Sequence, residues 1–321
     1  MMDFNPVKAY APASIGNVSL GFDLLGAALK PVDGTPLGDE VEVRQAKQFS
    51  LSIKGPFADK LPGDPKDNIV SQCYDYFHQQ LGEESQTLPA AAMTLYKNLP
   101  IGSGLGSSAC SVVAAFNGLN AFYGKPFTQN QLLLMMGELE GRISGSIHYD
   151  NVAPCYLGGM VLMAEHADTV AVNLPVFEHW YWVTCYSGIK VSTAEARDIL
   201  PKHIPMADTL AYGRQLAVFT HALHSGNETL AAAMMQDVIA EPYRKQLLPR
   251  FDEARDFVMQ NSGLAFGISG SGPTVFAVTN SKASAEKINQ WLTQNYIQNE
   301  QGFSHICQLD LQGSTATKVS S

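Results

Sequence analysis

The run L-P-I-G-S-G-L-G-S-S-A-C at residues 99–110 constrains this chain more than any other feature, because three glycines and three serines stand directly before an apolar segment of helical pattern. Glycines at 102, 104 and 106 let the backbone enter the φ > 0 region and approach a ligand with no Cβ in the way, so that successive N–H groups converge on an anion. The segment that follows, 107–123, reads as a helix that would add its unpaired first-turn amides and the positive end of its dipole. Neither common phosphate motif fits. Ser107 and Ser108 follow Gly106 where a Walker A loop has its lysine, and the spacing G-x-G-x-G differs from the dinucleotide G-x-G-x-x-G. The plain alternative is a flexible turn between two elements.

A chain of 321 residues, 45% hydrophobic and 16% charged, suits about two domains with a substantial interior. Its formal net charge of −9, without any block of lysines and arginines, argues against nucleic acid as a partner. Such a protein still holds phosphate locally, through backbone amides and a divalent cation that reverses the sign of the site. The five cysteines, 73, 110, 155, 185 and 307, are scattered and form no CxxC pair, which suits reduced thiols in a cytoplasmic protein. The opening M-M-D-F-N-P-V-K lacks the basic and apolar regions of a signal peptide, and no apolar stretch reaches the roughly 18 residues of a membrane span. No membrane partner is expected.

Along the chain, a strand is expected at 7–14, then a glycine-bearing functional loop at 16–26 that carries Asn17 and Asp23, then an apolar stretch at 27–29. Alternation predicts strands at 41–43 and 49–53, a surface loop at 59–68, a helix at 69–81, and a strand at 91–96 that delivers the chain into the glycine-rich run. Further helices are expected at 129–142, 207–225, 227–236, 250–261 and 283–296, with strands at 157–165, 180–187 and 274–279. The pattern restarts near residue 165, where a domain boundary is placed, and the polar residues 314–321 read as a frayed end.

Three polar clusters far apart in sequence call for one explanation: Asn17 with Asp23, the glycine–serine run with Glu138 and Glu140, and His148 with Asp150 and Asn151. A site that transfers phosphate to a small molecule would unite them. It needs amides for the triphosphate, a carboxylate and a hydroxyl for Mg²⁺, and polar groups that aim an acceptor hydroxyl at the γ-phosphorus. Taken singly, each residue has a plainer reading. Glu138 and Glu140 lie two apart on a helix and cannot share a face, His148 alone suits a satisfied surface histidine, and Asp150-Asn151 alone suits a turn or cap.

Together, P-I-G-S-G-L-G-S-S-A at 100–109, A-P-A-S-I-G-N-V-S-L-G-F-D at 11–23 and G-I-S-G-S-G-P-T at 267–274 resemble, in this order, the three motifs of the GHMP small-molecule kinases. H-Y-D-N-V-A-P at 148–154, S-T-A-E-A-R at 192–197 and A-E-P-Y-R at 240–244 resemble the homoserine kinase branch of that superfamily. The resemblance implies an α+β fold of two domains. The first, 1–165, would be an N-terminal ATP-binding domain shaped like ribosomal protein S5 domain 2, and the second, 166–321, a C-terminal α+β domain of ferredoxin-like type, with the nucleotide in the cleft between them. It also implies transfer of the ATP γ-phosphate to the side-chain hydroxyl of L-homoserine, and a homodimer.

Carried onto this chain, Pro100, Ile101, Gly102, Ser103, Gly104, Leu105, Gly106, Ser107, Ser108, Ala109 and Cys110 would bind the phosphates. Ser108 and Glu140 would hold Mg²⁺, with Ser107 the rival hydroxyl. Asn17, Asp23, His148 and Asp150 would line the amino-acid pocket, with Arg197 and Arg244 reaching in, and Asp150, Asn151 and Arg197 are the candidates for catalytic roles. The chemistry of the acceptor agrees: carboxylates suit its ammonium, and an arginine fork suits its carboxylate. Asp150 is the available carboxylate for taking the acceptor proton, but gripping the ammonium is its favoured role. The early loop departs from the commoner T-S-A-N-L-G-P-G-F-D in its Ile15-Gly16 and Ser19-Leu20, while Asn17 and Asp23 keep their spacing. Two alternatives stay open, a GHMP kinase for another alcohol such as mevalonate and a non-catalytic nucleotide-binding regulator. A Rossmann oxidoreductase fails on glycine spacing.

Overall fold

A computed structural model describes residues 4–62, 64–144, 147–166 and 169–319; the first three residues and the last two, residue 63, and residues 145–146 and 167–168 lie outside it. The chain begins with β1 (Val7–Pro12), β2 (Ser14–Gly16), β3 (Leu25–Pro31), β4 (Gly38–Ala46), β5 (Ser50–Lys54), α1 (Ile69–Leu81) and β6 (Ala90–Tyr96). It continues through α2 (Ser107–Phe122), α3 (Gln129–Ser144), α4 (Val152–Leu157), β7 (Met160–His166), β8 (Thr169–Leu174) and β9 (Tyr181–Tyr186). The rest comprises α5 (Thr193–Asp198), α6 (Met206–Ser225), α7 (Glu228–Met234), α8 (Glu241–Arg244), α9 (Phe251–Gln260), β10 (Ala265–Ile268), β11 (Val275–Thr279), α10 (Lys282–Asn295), β12 (Phe303–Leu309) and β13 (Thr315–Lys318).

Two sheets organise these elements. The first runs β13-β1-β4-β6-β5, and the second contains β10-β11-β9-β12-β3-β7-β8 with β2 paired to β3. Within the second, the antiparallel order β12-β9-β11-β10, with helices after β9 and after β11, is the βαββαβ arrangement of a ferredoxin-like unit. α1 follows from its sequence: Asn68 caps it by accepting from Val70 N at 2.9 Å, and apolar Val70, Cys73 and Phe77 recur at helical spacing on the buried face. α2 differs, being buried on nearly every side between the first sheet, α1 and α3. A helix apolar all round belongs inside, and this one carries the serines of the glycine-rich run into the interior.

The expected strands and long helices match observed ones to within a few residues, and the exceptions are short or polar. The stretch expected to be a frayed end, 314–321, is not one over its described part, because Thr315–Lys318 forms β13 and pairs antiparallel with β1 from Tyr10↔Thr315 to Val7↔Lys318; residues 320 and 321 lie outside the described residues. Its T-A-T-K composition is that of a half-exposed edge strand, which reads as a polar tail. β12 likewise pairs with β3, so the final strands complete sheets begun by the first. β8, β10, β12, α4, α5 and α8 were not anticipated; each is at most seven residues long. Position 165 lies within β7, which pairs with β8.

Where β4, β6 and α2 meet, Lys97 and Asp39 form an ion pair with side chains 2% and 0% exposed. Besides Asp39, Lys97 Nζ donates to Ser107 O at 2.8 Å and to Ser111 Oγ at 3.2 Å. Ser111 Oγ donates to Asp39 Oδ2 at 2.7 Å, while Asn98 N and Leu99 N donate to Oδ1 at 2.8 and 3.0 Å. Burying charge is tolerable only with such complete satisfaction, and losing one partner leaves the other stranded. Lys97→Met is therefore expected to lower unfolding free energy by about 3–5 kcal/mol, read from urea denaturation; a loss below about 1 kcal/mol would refute the dependence on this pair.

Candidate active site

β6 leads into the glycine-rich run, where Gly102, Gly104 and Gly106 take φ of 68°, 81° and 65°, the left-handed conformation expected of them. Protein donors occupy the run's carbonyls: Val191 N reaches Gly102 O at 3.2 Å, Thr274 N reaches Ser103 O at 3.1 Å, and Ser14 N reaches Leu105 O at 3.2 Å. Ser269 Oγ donates to Gly104 O at 2.6 Å. At Gly104 a Cβ would come within 2.5 Å of Ser269 O, so the close approach of the two glycine loops excludes any side chain there. Gly106 caps α2 without a side-chain hydrogen bond, which leaves the first-turn amides to an external anion.

The early loop turns through a left-handed run at Asn17, Val18 and Ser19, with φ of 69°, 47° and 64°, and Asp23 has φ 59°. A β-branched residue such as Val18 is strained there, and fully buried Val18 and nearly buried Leu20 hold the turn in place. The result aims two polar side chains. Asn17 Oδ1 accepts from Asp23 N at 2.9 Å and its Nδ2 donates to Gly270 O at 3.2 Å. Asp23 meets Arg197 at 3.1 Å, and His148 Nδ1 lies 3.8 Å from Asp23 Oδ1.

Arg244 is only 3% exposed; its Nε donates to Ala196 O at 2.9 Å and its Nη1 to Gly270 O at 3.0 Å. Both arginines rest near the Phe22 ring, at 5.8 Å for Arg197 and 5.2 Å for Arg244. Asp150 is buried just ahead of α4, with Asn151 Nδ2 donating to it at 3.3 Å and Asn151 Oδ1 held by Ser14 Oγ at 2.9 Å. Burial, reinforced by the neighbouring Asp23 charge, pushes the Asp150 carboxyl up to about 7. Burial lowers the His148 pKa against the opposing pull of Asp23, so its imidazole is neutral near pH 7.

On the other side, Ser108 Oγ donates to Glu140 Oε2 at 2.7 Å, and burial raises the Glu140 pKa against the opposing effects of Ser108 and Lys97. Ser107 Oγ instead donates to Leu99 O at 3.2 Å. Glu138, two residues from Glu140, is exposed and accepts from Tyr76 Oη. Ser108 and Glu140 together offer a hydroxyl and a carboxylate, hard oxygen donors that suit Mg²⁺ once phosphate and water complete its shell. Among the described residues no group of three or more His, Cys, Asp or Glu forms a metal cage.

One cleft of about 570 Å³ is lined by Asn17, Asp23, Glu140, His148, Asp150, Asn151, Arg197 and Arg244, and by Ile101, Gly102, Ser103, Gly104, Gly106, Ser107 and Ser108 of the glycine-rich run. Pro100, Leu105, Ala109 and Cys110 are absent from that lining and buried. Cys110 Sγ contacts Pro12 O at 2.9 Å and Cys155 Sγ at 3.8 Å, so it belongs to the core under the site. Sequence reasoning missed Lys97 and Lys190, which also line the cleft. Lys190 packs on the run so closely that a Cβ at Gly102 would lie 2.7 Å from its Cγ, and nothing local in the sequence signals either lysine.

Residues 68–159 match the family model of the GHMP kinases N terminal domain, and residues 219–298 that of the GHMP kinases C terminal. The structure is similar to that of a homoserine kinase from Cytophaga hutchinsonii, with 32% identity, TM-score 0.88, and 99% of this chain and 98% of that chain covered. It shares its fold with mevalonate kinase from L. major in complex with R-mevalonate (15% identity, TM-score 0.67, 94% and 95% covered) and from Methanococcus jannaschii (13%, 0.67, 95% and 98%).

Gly26 shows how closely the strands support this site, because a Cβ there would lie 1.8 Å from the Asp150 carbonyl oxygen, whereas one at Gly213 in α6 meets nothing within 4 Å. Gly26→Ala is expected to destabilise the fold by about 1–3 kcal/mol, while Gly213→Ala stabilises it by up to about 1 kcal/mol. Paired urea titrations check both, and equal stability of the two variants would contradict the packing described.

Proposed function

The chain belongs to the GHMP kinases, and from that premise we propose that it transfers the γ-phosphate of ATP to the side-chain hydroxyl of L-homoserine, giving O-phospho-L-homoserine and ADP. The observation that carries this reading is the meeting, in one cleft, of the glycine-rich run with two acids, Asp23 and Asp150, and two arginines, Arg197 and Arg244. An acceptor with an ammonium, a carboxylate and one hydroxyl matches that set. Mevalonate has no ammonium and leaves both acids without a counterpart. The similarity to the homoserine kinase of Cytophaga hutchinsonii supports the same choice.

In this reading the loop amides and the α2 dipole cradle the triphosphate. Mg²⁺, held by Ser108 and Glu140, would neutralise charge on the phosphate oxygens. Arg244, fixed by two backbone carbonyls, and Arg197 receive the acceptor carboxylate. Asp23 and Asp150 hold its ammonium, with Asn17 and His148 completing the pocket and Asn151 orienting Asp150. The acceptor oxygen then attacks the γ-phosphorus as the bond to the β–γ bridging oxygen breaks. Its proton passes to a phosphoryl oxygen, so Asp150 grips rather than deprotonates. The division at 165/166, with ATP bound mainly by the first part, and a homodimer complete the proposal; five free, buried cysteines support a reducing compartment such as the cytoplasm.

ADP formation measured with homoserine, mevalonate, shikimate and galactose should show turnover with homoserine, and none with it would overturn the proposal. With Asp150 titrating near 7, kcat/KM for homoserine should fall as pH drops through 7, because a protonated carboxyl no longer holds an ammonium. Asp150→Asn should raise the homoserine KM about tenfold or more and remove that limb of the profile. A collapse of kcat at saturating homoserine would instead make Asp150 the base.

A further inference from the structure

Two of the four groups that the proposed function assigns to the acceptor's charges are bonded to each other. A single nitrogen of Arg197, Nη2, lies 3.1 Å from Asp23 Oδ1 and 3.2 Å from Oδ2, with the two side chains 37% and 30% exposed. This is a one-nitrogen contact at the edge of solvent, the kind of ion pair that exchanges readily. The other two groups are fixed. Arg244 is anchored by Ala196 O and Gly270 O with its remaining N–H donors left over, and Asp150 lies buried against Asn151. Asp23 is also held from behind, since its own N–H donates to Asn17 Oδ1 at 2.9 Å. Its main chain therefore stays in place when the guanidinium moves away, with His148 Nδ1 still 3.8 Å from Oδ1.

We infer that the Asp23–Arg197 ion pair is a charge filter, which opens without loss only for an acceptor carrying an ammonium and a carboxylate together. The inference rests on the function proposed above. A zwitterion replaces both halves at once, its ammonium taking the place of the guanidinium on Asp23 and its carboxylate the place of Asp23 on Arg197. An acceptor with an ammonium alone strands Arg197 in a cleft it shares with Arg244. One with a carboxylate alone strands Asp23, whose charge already bears on Asp150. Selectivity then lies in the coupling between the two contacts, and singly charged analogues are rejected by the half-pair they leave behind.

Two fragments of homoserine separate the charges: 4-hydroxybutanoate keeps the carboxylate and 3-aminopropan-1-ol keeps the ammonium. Their inhibition constants against homoserine phosphorylation, with ATP and Mg²⁺ at pH 8, test the filter. Asp23→Asn is tolerated at φ 59°, since asparagine is among the residues that adopt this region. It should bind 4-hydroxybutanoate about two- to fivefold more tightly than the unaltered protein while its homoserine KM rises, the gain being that of one half-exposed pair no longer broken. Arg197→Met should gain by a similar factor for 3-aminopropan-1-ol. Asp150→Asn removes a negative charge that has no bond to Arg197, and should gain less for 4-hydroxybutanoate. Equal gains in Asp150→Asn and Asp23→Asn, or no gain in Asp23→Asn and Arg197→Met, would overturn the filter and leave homoserine phosphorylation standing. Absence of homoserine turnover by the unaltered protein would overturn both.

Discussion

Removing Lys97 and Asp39 from water creates an obligation that the first half of this chain is arranged to meet. Two charges at the junction of β4, β6 and α2 can stay there only if each donor and acceptor is satisfied, and the partners come from the start of the glycine-rich run and the first turns of α2. The ion pair thus fixes where the chain leaves the sheet and where the helix begins. The glycine-rich run and the first turn of α2, which face the triphosphate in the proposed reaction, hang from those two points. No lysine follows Gly106 as in a Walker loop, and the lysine that precedes the run, Lys97, lies at the buried edge of the cleft, paired with Asp39 and bonded to Ser107 O.

The acceptor end is built differently. Its rigidity comes from backbone strain at Asn17, Val18 and Ser19, held by burial of apolar neighbours, and from an arginine tied to main-chain carbonyls. Strain of this kind survives only where the surroundings leave the loop no alternative. The cost aims Asn17 and Asp23 into the cleft while Arg197, on the six-residue α5, keeps more exposure than its neighbour Arg244. One half of the cleft is therefore rigid, and the other retains a side chain that can change partners.

How much of this the sequence disclosed depended on whether a residue's role is local. The glycine-rich run, the α1 and α2 patterns and the spacing of Asn17 and Asp23 are written in adjacent residues, and the family motifs carried the remaining polar clusters. Ser108 and Glu140, 32 positions apart, were paired through the resemblance, and the hydrogen bond between them, like that of Ser107 Oγ to Leu99 O, is visible only in three dimensions. Asp39 and Lys97 stayed invisible because a charge buried by contacts 58 residues away looks, in one dimension, like any surface charge. β13 was misread for a related reason. A half-exposed edge strand of threonine and lysine has the composition of a tail, and only the partner β1, at the opposite end of the chain, makes it a strand.

That last pairing bears on how the protein comes into being. β1 has β4 on one side, but its other edge waits for residues 315–318, and β3 waits for β12. At ribosomal elongation rates of about 5–20 residues per second, the nascent chain spends on the order of tens of seconds with open strand edges in its N-terminal half. Neither sheet is complete until β12 and β13 have emerged. The N-terminal strands therefore cannot complete their sheets as they emerge, and hold an open edge until β12 and β13 arrive. Until then β1, with β4 on one side only, and the 29–31 end of β3 present the kind of open strand edge that invites wrong pairing.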